Sequence, residues 1–354
     1  MRTRLFSRRG FTLLELVFAV AIGAVVVAGL YSVFRMQMRS FVAQDLQMEM
    51  HQNGRMALDI LSRTARIAGY GSGRGETRGV FGAAGVADDT LPSVVSYNGT
   101  GPNGSDAVTL VSMDPALVVN TNETAPPACD TAVLHADPTV LHNAARIAQF
   151  QTNELLLCYD YAGIGTFRSY LWSLAAPGNA TSGDFTVTPN TQGDYVTDCS
   201  GTANLPVVMV CSRGEVATYY IDADDTDGVG PGSPDHPVLM MDLDFESPDA
   251  DDVPVVDNVE DLQVAYCLES ATGNTDCSQA ASWQDQITTA DVDNLYMMRI
   301  SLVIRASRPD LQATYVNQRP ALEDNPGASV TDNYYRQVVT TEITVRNLRI
   351  QAQL

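Results

Sequence analysis

The most regular pattern in the chain is an apolar stretch near its amino end, over residues 11–34. It reads FTLLELVFAVAIGAVVVAGLYSVF, and Glu15 is its one charged residue. About 20 apolar residues in a helix span the roughly 30 Å of hydrocarbon in a bilayer. The pattern therefore predicts a membrane-spanning helix over residues 11–34.

Beyond this stretch, apolar residues continue at helical spacing but now alternate with polar ones. No proline precedes Pro92, so nothing breaks a helix rigidly, and the glycine-dense residues 69–73 favour a helix end. The pattern predicts one helix over residues 11–68, whose amphipathic half, 35–68, packs one face on a sheet. The residues expected on that face are Met38, Val42, Leu46, Met50, Ala57, Ile60, Leu61, Thr64 and Ile67.

After about residue 75, the pattern changes to short runs rich in β-branched and aromatic residues, which predict strands. Residues 175–205 and 270–290 are small and polar, and we predict loops there. A β-rich body over residues 69–354 follows, and with the long helix it gives an α+β fold class. The predicted strands are 107–112, 154–159, 167–174, 207–211, 215–221, 261–268, 295–305 and 338–346.

The charge is divided unequally along the chain, whose formal net charge is −21. Residues 1–78 carry 11 Arg and 5 acidic residues, whereas residues 79–354 carry 10 Arg and 37 acidic residues. Nucleic-acid binding requires basic side chains that displace counterions from phosphate. We therefore expect no direct nucleic-acid binding, and we interpret the acidic body as a device for solubility.

The residues around the start of the apolar stretch carry a processing signal. A basic cluster leads to Gly10 and Phe11, and Glu15 follows at a place where a carboxylate costs roughly 2.5–3.5 kcal/mol on insertion scales. The arrangement resembles the class III signal of type IV prepilins, in which a prepilin peptidase cleaves after the glycine. The resemblance implies a leader over residues 1–10, cleavage between Gly10 and Phe11, and N-methylation of Phe11.

Two other interpretations account for less of this pattern. An ordinary secretory signal would use the small residues Ala19 and Ala21 for cleavage, but the apolar stretch continues after them. A simple membrane anchor explains the basic residues by the positive-inside rule, yet it leaves Gly10 and Glu15 without a role.

The resemblance also implies a docking role for Glu15, which would be the fifth residue of the mature chain. Its carboxylate would pair with the Phe11 α-amine of a neighbouring subunit, because an unpaired charge is costly at low dielectric. Pairing within one helix is also possible, since the two groups lie four residues apart. The remaining interpretation is a carboxylate that reaches the membrane interface.

Four stretches resemble the PilW class of minor type IV pilins. They are MALDILSRTARIAGYG at 56–71, PVVDNVEDLQVAYC at 254–267, ADVDNLYMMRISLVIRASRP at 290–309 and YYRQVVTTEITVRNLR at 334–349. The resemblance implies a pilin fold, in which a long amino-terminal helix packs on an antiparallel sheet. Large loop and β insertions would occupy residues 75–250, where the resemblance is weak.

The resemblance implies a minor pilin that helps to initiate or cap a type IV pilus, with adhesion and twitching motility as downstream effects. Its partners would be other minor and major pilins, contacted through the amino-terminal helix, the prepilin peptidase and the inner-membrane assembly platform. The chain would lie in the inner membrane with a cytoplasmic amino terminus and a periplasmic body, and later in the pilus at the cell surface. A J-like pseudopilin of type II secretion and a membrane-anchored surface adhesin are the alternatives.

Six cysteines follow the apolar stretch, and an even number in an exported chain favours disulfides. Their spacing allows 15 connectivities. Short loops favour Cys199–Cys211 and Cys267–Cys277, which leaves Cys129–Cys158.

The sequence offers little for catalysis or metal binding. The four His residues lack metal-ligand spacing, and no nucleophile or phosphate-loop motif is present, so we expect no enzyme and no cofactor. The acidic turn at 221–235 resembles a calcium loop only in part, because Pro234 stands where such a loop has Glu. A solvated turn is the favoured interpretation; the calcium ligands would otherwise be Asp222, Asp224, Asp225 and Asp227.

Overall fold

The computed structural model describes most of the chain and divides it into two units. The contacts separate residues 1–49 from residues 50–354, so the division falls inside a helix. The described residues are 12–71, 76–79, 90–124, 127, 131, 133–160, 169–188, 207–223, 236–243, 252–269, 276–310, 316–328, 331–345 and 347.

The long helix α1 runs over Leu13–Ile67, close to the predicted residues 11–68. Over residues 13–42 its apolar side chains are exposed on every side, and Leu13 is 80% exposed, whereas Leu46 is buried as the spacing predicts. By length and composition, this helix is long and apolar enough to cross a membrane. Met38 and Val42 are exposed in the described structure, although the spacing predicts them on a packed face.

The part of α1 that belongs to the second unit packs one face on the body. Met50, Ala57 and Leu61 are buried there, as the spacing predicts. The helix ends before Gly69, whose positive φ of 79° is the left-handed conformation that commonly terminates helices. A second, short helix, α2, spans Asn143–Ile147.

Eighteen strands lie in the described part of the chain. Their bounds are β1 Glu76–Gly79, β2 Thr90–Pro92, β3 Val94–Tyr97, β4 Ala107–Met113, β5 Val119–Asn120, β6 Val133–His135, β7 Leu155–Asp160, β8 Ser169–Ser173, β9 Asp184–Thr186, β10 Met209–Asp222, β11 Val238–Asp242, β12 Val253–Asp257, β13 Val259–Leu268, β14 Trp283–Gln284, β15 Leu295–Arg305, β16 Asn317–Gln318, β17 Thr331–Asp332 and β18 Arg336–Thr344.

The larger sheet has the order β12-β11-β10-β7-β8-β1-β2, and β3, β4 and β5 branch from it. Its pairs are antiparallel except β1 with β8, which is parallel. β10 organises the sheet, because it pairs with β7 and β5 over its first half and with β4 and β11 over its second. A buried cluster that includes Phe150, Trp172 and Phe185 fills the core beside β7 and β8.

The smaller sheet is antiparallel and has the order β14-β13-β15-β18. One of its faces lies against α1, since a Cβ placed on Gly54 would be 3.2 Å from Val339 and 3.4 Å from Ile304. Two more strand pairs, β6 with β9 and β16 with β17, belong to neither the larger nor the smaller sheet.

The structure confirms the α+β class and changes some strand boundaries. The two strands predicted at 207–211 and 215–221 form one continuous strand, β10. The residues predicted as loops contain β9 and β14. Both corrections have one cause: these residues find pairing partners far away in the sequence, and local composition does not report such partners.

Candidate assembly surfaces

The first turn of α1 holds Glu15 through a reciprocal pair of hydrogen bonds with Thr12. The Thr12 backbone N–H donates to Glu15 Oε2 at 2.9 Å, and the Glu15 backbone N–H donates to Thr12 Oγ1 at 3.2 Å. The Thr12 hydroxyl also donates to Oε2, at 3.1 Å. This arrangement is a capping box, which satisfies two of the N–H groups that a helix start leaves without partners.

The capping box leaves part of the Glu15 carboxylate available for a second partner. All the hydrogen bonds that the described residues give to this carboxylate go to Oε2, so Oε1 faces none of these donors. Glu15 therefore stands at the start of an apolar, exposed helix with one oxygen oriented by its own turn. Gly10 and Phe11, the predicted cleavage and methylation residues, lie outside the described residues.

Within the second unit, α1 is joined to strands of both sheets by polar contacts. Thr64 Oγ1 lies 2.9 Å from Tyr219 Oη on β10, and His51 Nδ1 lies 2.9 Å from Gln337 Nε2 on β18. The Asn53 side-chain amide donates to the backbone oxygen of Asp257 at 3.0 Å. These contacts and the close approach at Gly54 fix this part of the helix to the body.

A buried ion pair lies on the face of the smaller sheet that points away from α1. Arg319 Nη1 donates to Asp261 Oδ2 at 2.5 Å, and the two side chains are only 5% and 0% exposed. Asn325 Nδ2 donates to the same carboxylate at 3.1 Å, and Gln263 Nε2 donates to its other oxygen at 3.0 Å. Burial raises the pKa of Asp261, whereas the hydrogen bond from Gln263 and the Arg319 charge lower it.

Residues 316–328 form a cover segment over this face of the sheet. Besides Arg319 and Asn325, the segment places Glu323, which receives two hydrogen bonds from Arg299 on β15, at 2.8 and 2.6 Å. The Arg299 guanidinium also lies 4.2 Å from the ring centre of Trp283. The side chains of Arg319 and Asn325 also donate hydrogen bonds to the backbone oxygen of Asn103, so the cover segment also holds the loop before β4.

Asp106, at the end of that loop, is buried and hydrogen-bonded at once. It is 3% exposed, and its carboxylate accepts the backbone N–H groups of Gly99 and Val264, each at 2.8 Å. Burial raises the pKa of Asp106 to about 6, and the nearby carboxylates of Asp324 and Asp261 act in the same direction. The two N–H donors oppose this shift without cancelling it.

This raised pKa predicts a pH dependence of stability. Because folded Asp106 holds its proton up to about pH 6, and an unfolded Asp loses its proton near 4, its contribution to the free energy of unfolding falls between pH 4 and 6. We expect a loss of roughly 1–2 kcal/mol after allowance for solvent screening. Urea titrations of the wild-type protein and Asp106→Asn across pH 4–7 measure it.

The control is Asp137→Asn. Asp137 is exposed, and hydrogen bonds from Thr139 lower its pKa, so its effect has the opposite sign and lies below pH 4. If the free energy of unfolding of the wild type and of Asp106→Asn changed with pH by the same amount between pH 4 and 6, the interpretation would be contradicted.

Two disulfides are present in the described part of the chain, and they correct two predicted pairings. Cys158 bonds to Cys211, its direct cross-strand neighbour in β7 and β10, with Cα atoms 4.0 Å apart. The predicted pairings Cys199–Cys211 and Cys129–Cys158 are therefore wrong, whereas Cys267–Cys277 is confirmed. Short loop length misled the prediction, because strand pairing brings together residues that are 53 positions apart. Cys129 and Cys199 lie outside the described residues.

The candidate calcium ligands are only partly described. Asp222 ends β10, and Asp224, Asp225 and Asp227 lie outside the described residues. Across the described ranges, no group of three His, Cys, Asp or Glu residues is arranged to hold a metal ion.

A calcium titration tests the favoured interpretation of this turn as solvated. We predict that calcium raises the melting temperature of the protein by less than about 1 °C, because a metal stabilises only the native state that binds it. Calorimetry with calcium and with chelator measures the difference. The control is the fourfold variant in which Asn replaces Asp222, Asp224, Asp225 and Asp227. A larger rise in the wild type that this variant does not show would mean that calcium binds at the turn.

The sequence-based prediction missed three features of these surfaces. The capping box has a local signal, since Thr12-Leu13-Leu14-Glu15 fits the Thr-x-x-Glu pattern. The ion pair between Arg319 and Asp261 has none, because its members are 58 residues apart. The raised pKa of Asp106 depends on burial, which no local pattern encodes.

Comparison with known proteins finds family matches over two parts of the chain. Residues 218–347 match the family described as "Type IV Pilus-assembly protein W", and residues 5–31 match the "Prokaryotic N-terminal methylation motif". Among solved structures, the type IV-like pilin TTHA1219 from Thermus thermophilus is similar over 84% of this chain and 96% of its own length, with 10% sequence identity and a TM-score of 0.36. No curated protein sequence matches the chain.

The two family matches agree with the sequence prediction. Residues 218–347 include β13, β15, β18 and the cover segment, and they contain nearly all of the three carboxyl-terminal stretches that resemble minor pilins. Residues 5–31 contain the predicted cleavage signal and the start of α1, which indicates a membrane-anchored precursor. The chain thus carries a PilW-type region over residues 218–347 and a prokaryotic N-terminal methylation motif over residues 5–31.

Proposed function

We propose that the chain is cleaved between Gly10 and Phe11, N-methylated at Phe11, and then incorporated at the start or the tip of a type IV pilus. Its role is structural rather than enzymatic. Other minor pilins and the major pilin contact it through the first half of α1, and the inner-membrane assembly platform inserts it. Before assembly, the amino terminus is cytoplasmic and the body periplasmic; afterwards the body is on the cell surface.

The observation that carries this proposal is the geometry of Glu15 in the first turn of α1. Its carboxylate is fixed by Thr12 next to the predicted new terminus, at the beginning of a helix whose apolar residues are exposed. Cleavage would create an α-amine one residue before Thr12, and hence a cation that can neutralise Glu15 Oε1. In the filament, burying the Glu15 carboxylate of one subunit together with the Phe11 α-amine of its neighbour costs far less than burying either charge alone.

The cleavage step is tested by Gly10→Val. The branched side chain fills the space that a glycine leaves beside the scissile bond, so we expect more than 90% of the protein to keep residues 1–10. Intact mass of the protein from membranes measures this directly. The matched control is Gly23→Val, because a Cβ at Gly23 has no atom within 4 Å in the described structure.

The wild type and the Gly23→Val control are both expected to begin at Phe11 with one added methyl group. A wild-type protein that retains Met1, or that begins after Ala21, would refute the processing proposal.

A further inference from the structure

β18 is the outermost strand of the smaller sheet, and its hydrogen-bonding pattern can be assigned residue by residue. Ala306 N–H donates to the oxygen of Tyr335, and Val345 N–H donates to the oxygen of Tyr296. Hydrogen-bonded pairs alternate along an antiparallel ladder. Residues 337, 339, 341 and 343 therefore bond to β15, and the backbone N–H and C=O groups of Val338, Thr340 and Glu342 point to the open edge.

This open edge is accessible within the described structure. Val338 is 42% exposed, and Thr340 and Glu342 are also exposed. None of the hydrogen bonds recorded among the described residues uses the backbone N–H groups of these three residues. The edge thus presents three donor–acceptor pairs spaced two residues apart, which is the spacing of a strand.

β18 also lacks the features that normally keep an edge strand from pairing. It pairs with β15 over nine residues without a register shift, and it contains no proline. By contrast, β12 at the edge of the larger sheet has Pro254 and a register shift, and β14 has only two residues. The sequence of β18 is rich in the β-branched residues that strands favour.

The charge and the position of the edge indicate what would occupy it. Glu342 stands at the edge with its side chain half exposed, 4.0 Å from Arg299, whose guanidinium already binds Glu323. Glu342 therefore favours a basic residue opposite it on an added strand. β18 also contacts α1 through Gln337 and His51, so a subunit that packs along the helix arrives beside this strand.

We propose that β18 accepts an extended strand from a neighbouring pilin subunit, added to the smaller sheet by backbone hydrogen bonds, with an Arg or Lys opposite Glu342. This inference rests on the proposed function, because the neighbour is a subunit of the same filament. Strand addition obtains its affinity from main-chain hydrogen bonds, so the edge backbone matters more than the edge side chains.

The test compares substitutions at neighbouring positions of β18 in the full-length protein. Thr340→Pro removes an outward N–H and leaves the ladder to β15 intact, so we expect at least tenfold less subunit in sheared filaments, with an unchanged melting temperature. Thr340→Ala is the matched control: it loses the same contact with Ser301 but keeps the N–H, and we expect normal recovery. Thr341→Pro, which removes an inward N–H, is expected to destabilise the body.

Hydrogen exchange supplies a measurement that needs no substitution. In the isolated full-length subunit, the amides of Val338, Thr340 and Glu342 should exchange at least 100-fold faster than those of Val339 and Thr341, and they should slow at least tenfold in filaments. Equal protection in the isolated subunit would mean that the chain itself fills the edge. Fast exchange in both states, or full recovery of Thr340→Pro, would likewise overturn the proposal.

Light scattering tests whether the remaining candidate occupant of the edge, a second copy of the chain, binds there instead of a neighbouring pilin. If the isolated subunit forms a dimer, and if Thr340→Pro dissociates that dimer, then β18 pairs with a second copy of the chain and not with a neighbouring pilin. This result would overturn the proposal. If the wild type is absent from filaments, the proposed function itself fails. If the wild type and Thr340→Pro are both present at normal levels, only the strand-addition inference fails.

Discussion

Replacing Glu15 by Ala is expected to leave the protein normally cleaved and at least as abundant in the inner membrane, while its recovery in sheared filaments falls by two orders of magnitude or more. Removal of a membrane carboxylate helps insertion of the isolated subunit. In the filament, the same change leaves the neighbouring Phe11 amine without its counter-charge. Loss of one member of a buried pair costs about 3–5 kcal/mol, and each 1.4 kcal/mol is tenfold in an equilibrium.

Two further variants separate docking from helix capping. Glu15→Gln keeps an oxygen that can accept the Thr12 N–H but removes the charge, so we expect it to fail like Glu15→Ala. Thr12→Val removes the hydroxyl from the capping box and keeps the carboxylate, and we expect it to assemble. Normal incorporation of Glu15→Ala would show that the carboxylate has no docking role, and would favour an anchored surface protein.

Replacing Arg319 by Ala is expected to lower the free energy of unfolding by about 3–5 kcal/mol, because Asp261 would remain buried without its cation. The loss is a large fraction of the total stability of an ordinary domain. Urea denaturation of the full-length protein in detergent measures the change in midpoint. The double variant Arg319→Met/Asp261→Leu should recover much of the loss, because no unpaired charge remains in the core.

The matched control for this prediction is Arg63→Ala. Arg63 lies 2.7 Å from Asp59, and both side chains are more than half exposed. Solvent screens such surface pairs, so we expect a change of less than about 0.5 kcal/mol. Equal effects of the Arg319 and Arg63 substitutions would show that the ion pair under the cover segment does not stabilise the fold.

The features with a local period could be predicted from the sequence, and the structure places them close to the predicted bounds. The helix over residues 11–68 is observed as α1 over Leu13–Ile67, and the predicted strand at 295–305 is β15. Both elements have an apolar period that depends only on neighbouring residues. The amino-terminal signal belongs to the same class, because it is read from adjacent residues.

β10 shows where such reasoning ends. Gly214 and its polar neighbours indicate a turn between two strands, yet the strand continues through them. Gly214 pairs with Leu155 on one side and Met113 on the other, at the point where β10 exchanges one set of partners for another. The pairing to distant strands overrides the local preference, and the Cys158–Cys211 disulfide is unpredictable for the same reason.

The way in which the second unit holds α1 has a mechanical consequence. Gly54 and His51 lie against the smaller sheet, and Thr64, about three turns after Gly54, contacts the larger one. Tension applied along this part of the helix would load these contacts in shear, so that they share the force instead of opening one after another. Forced unfolding is governed by the unfolding rate, and a load shared between the two sheets raises the force needed to pull the body from its helix.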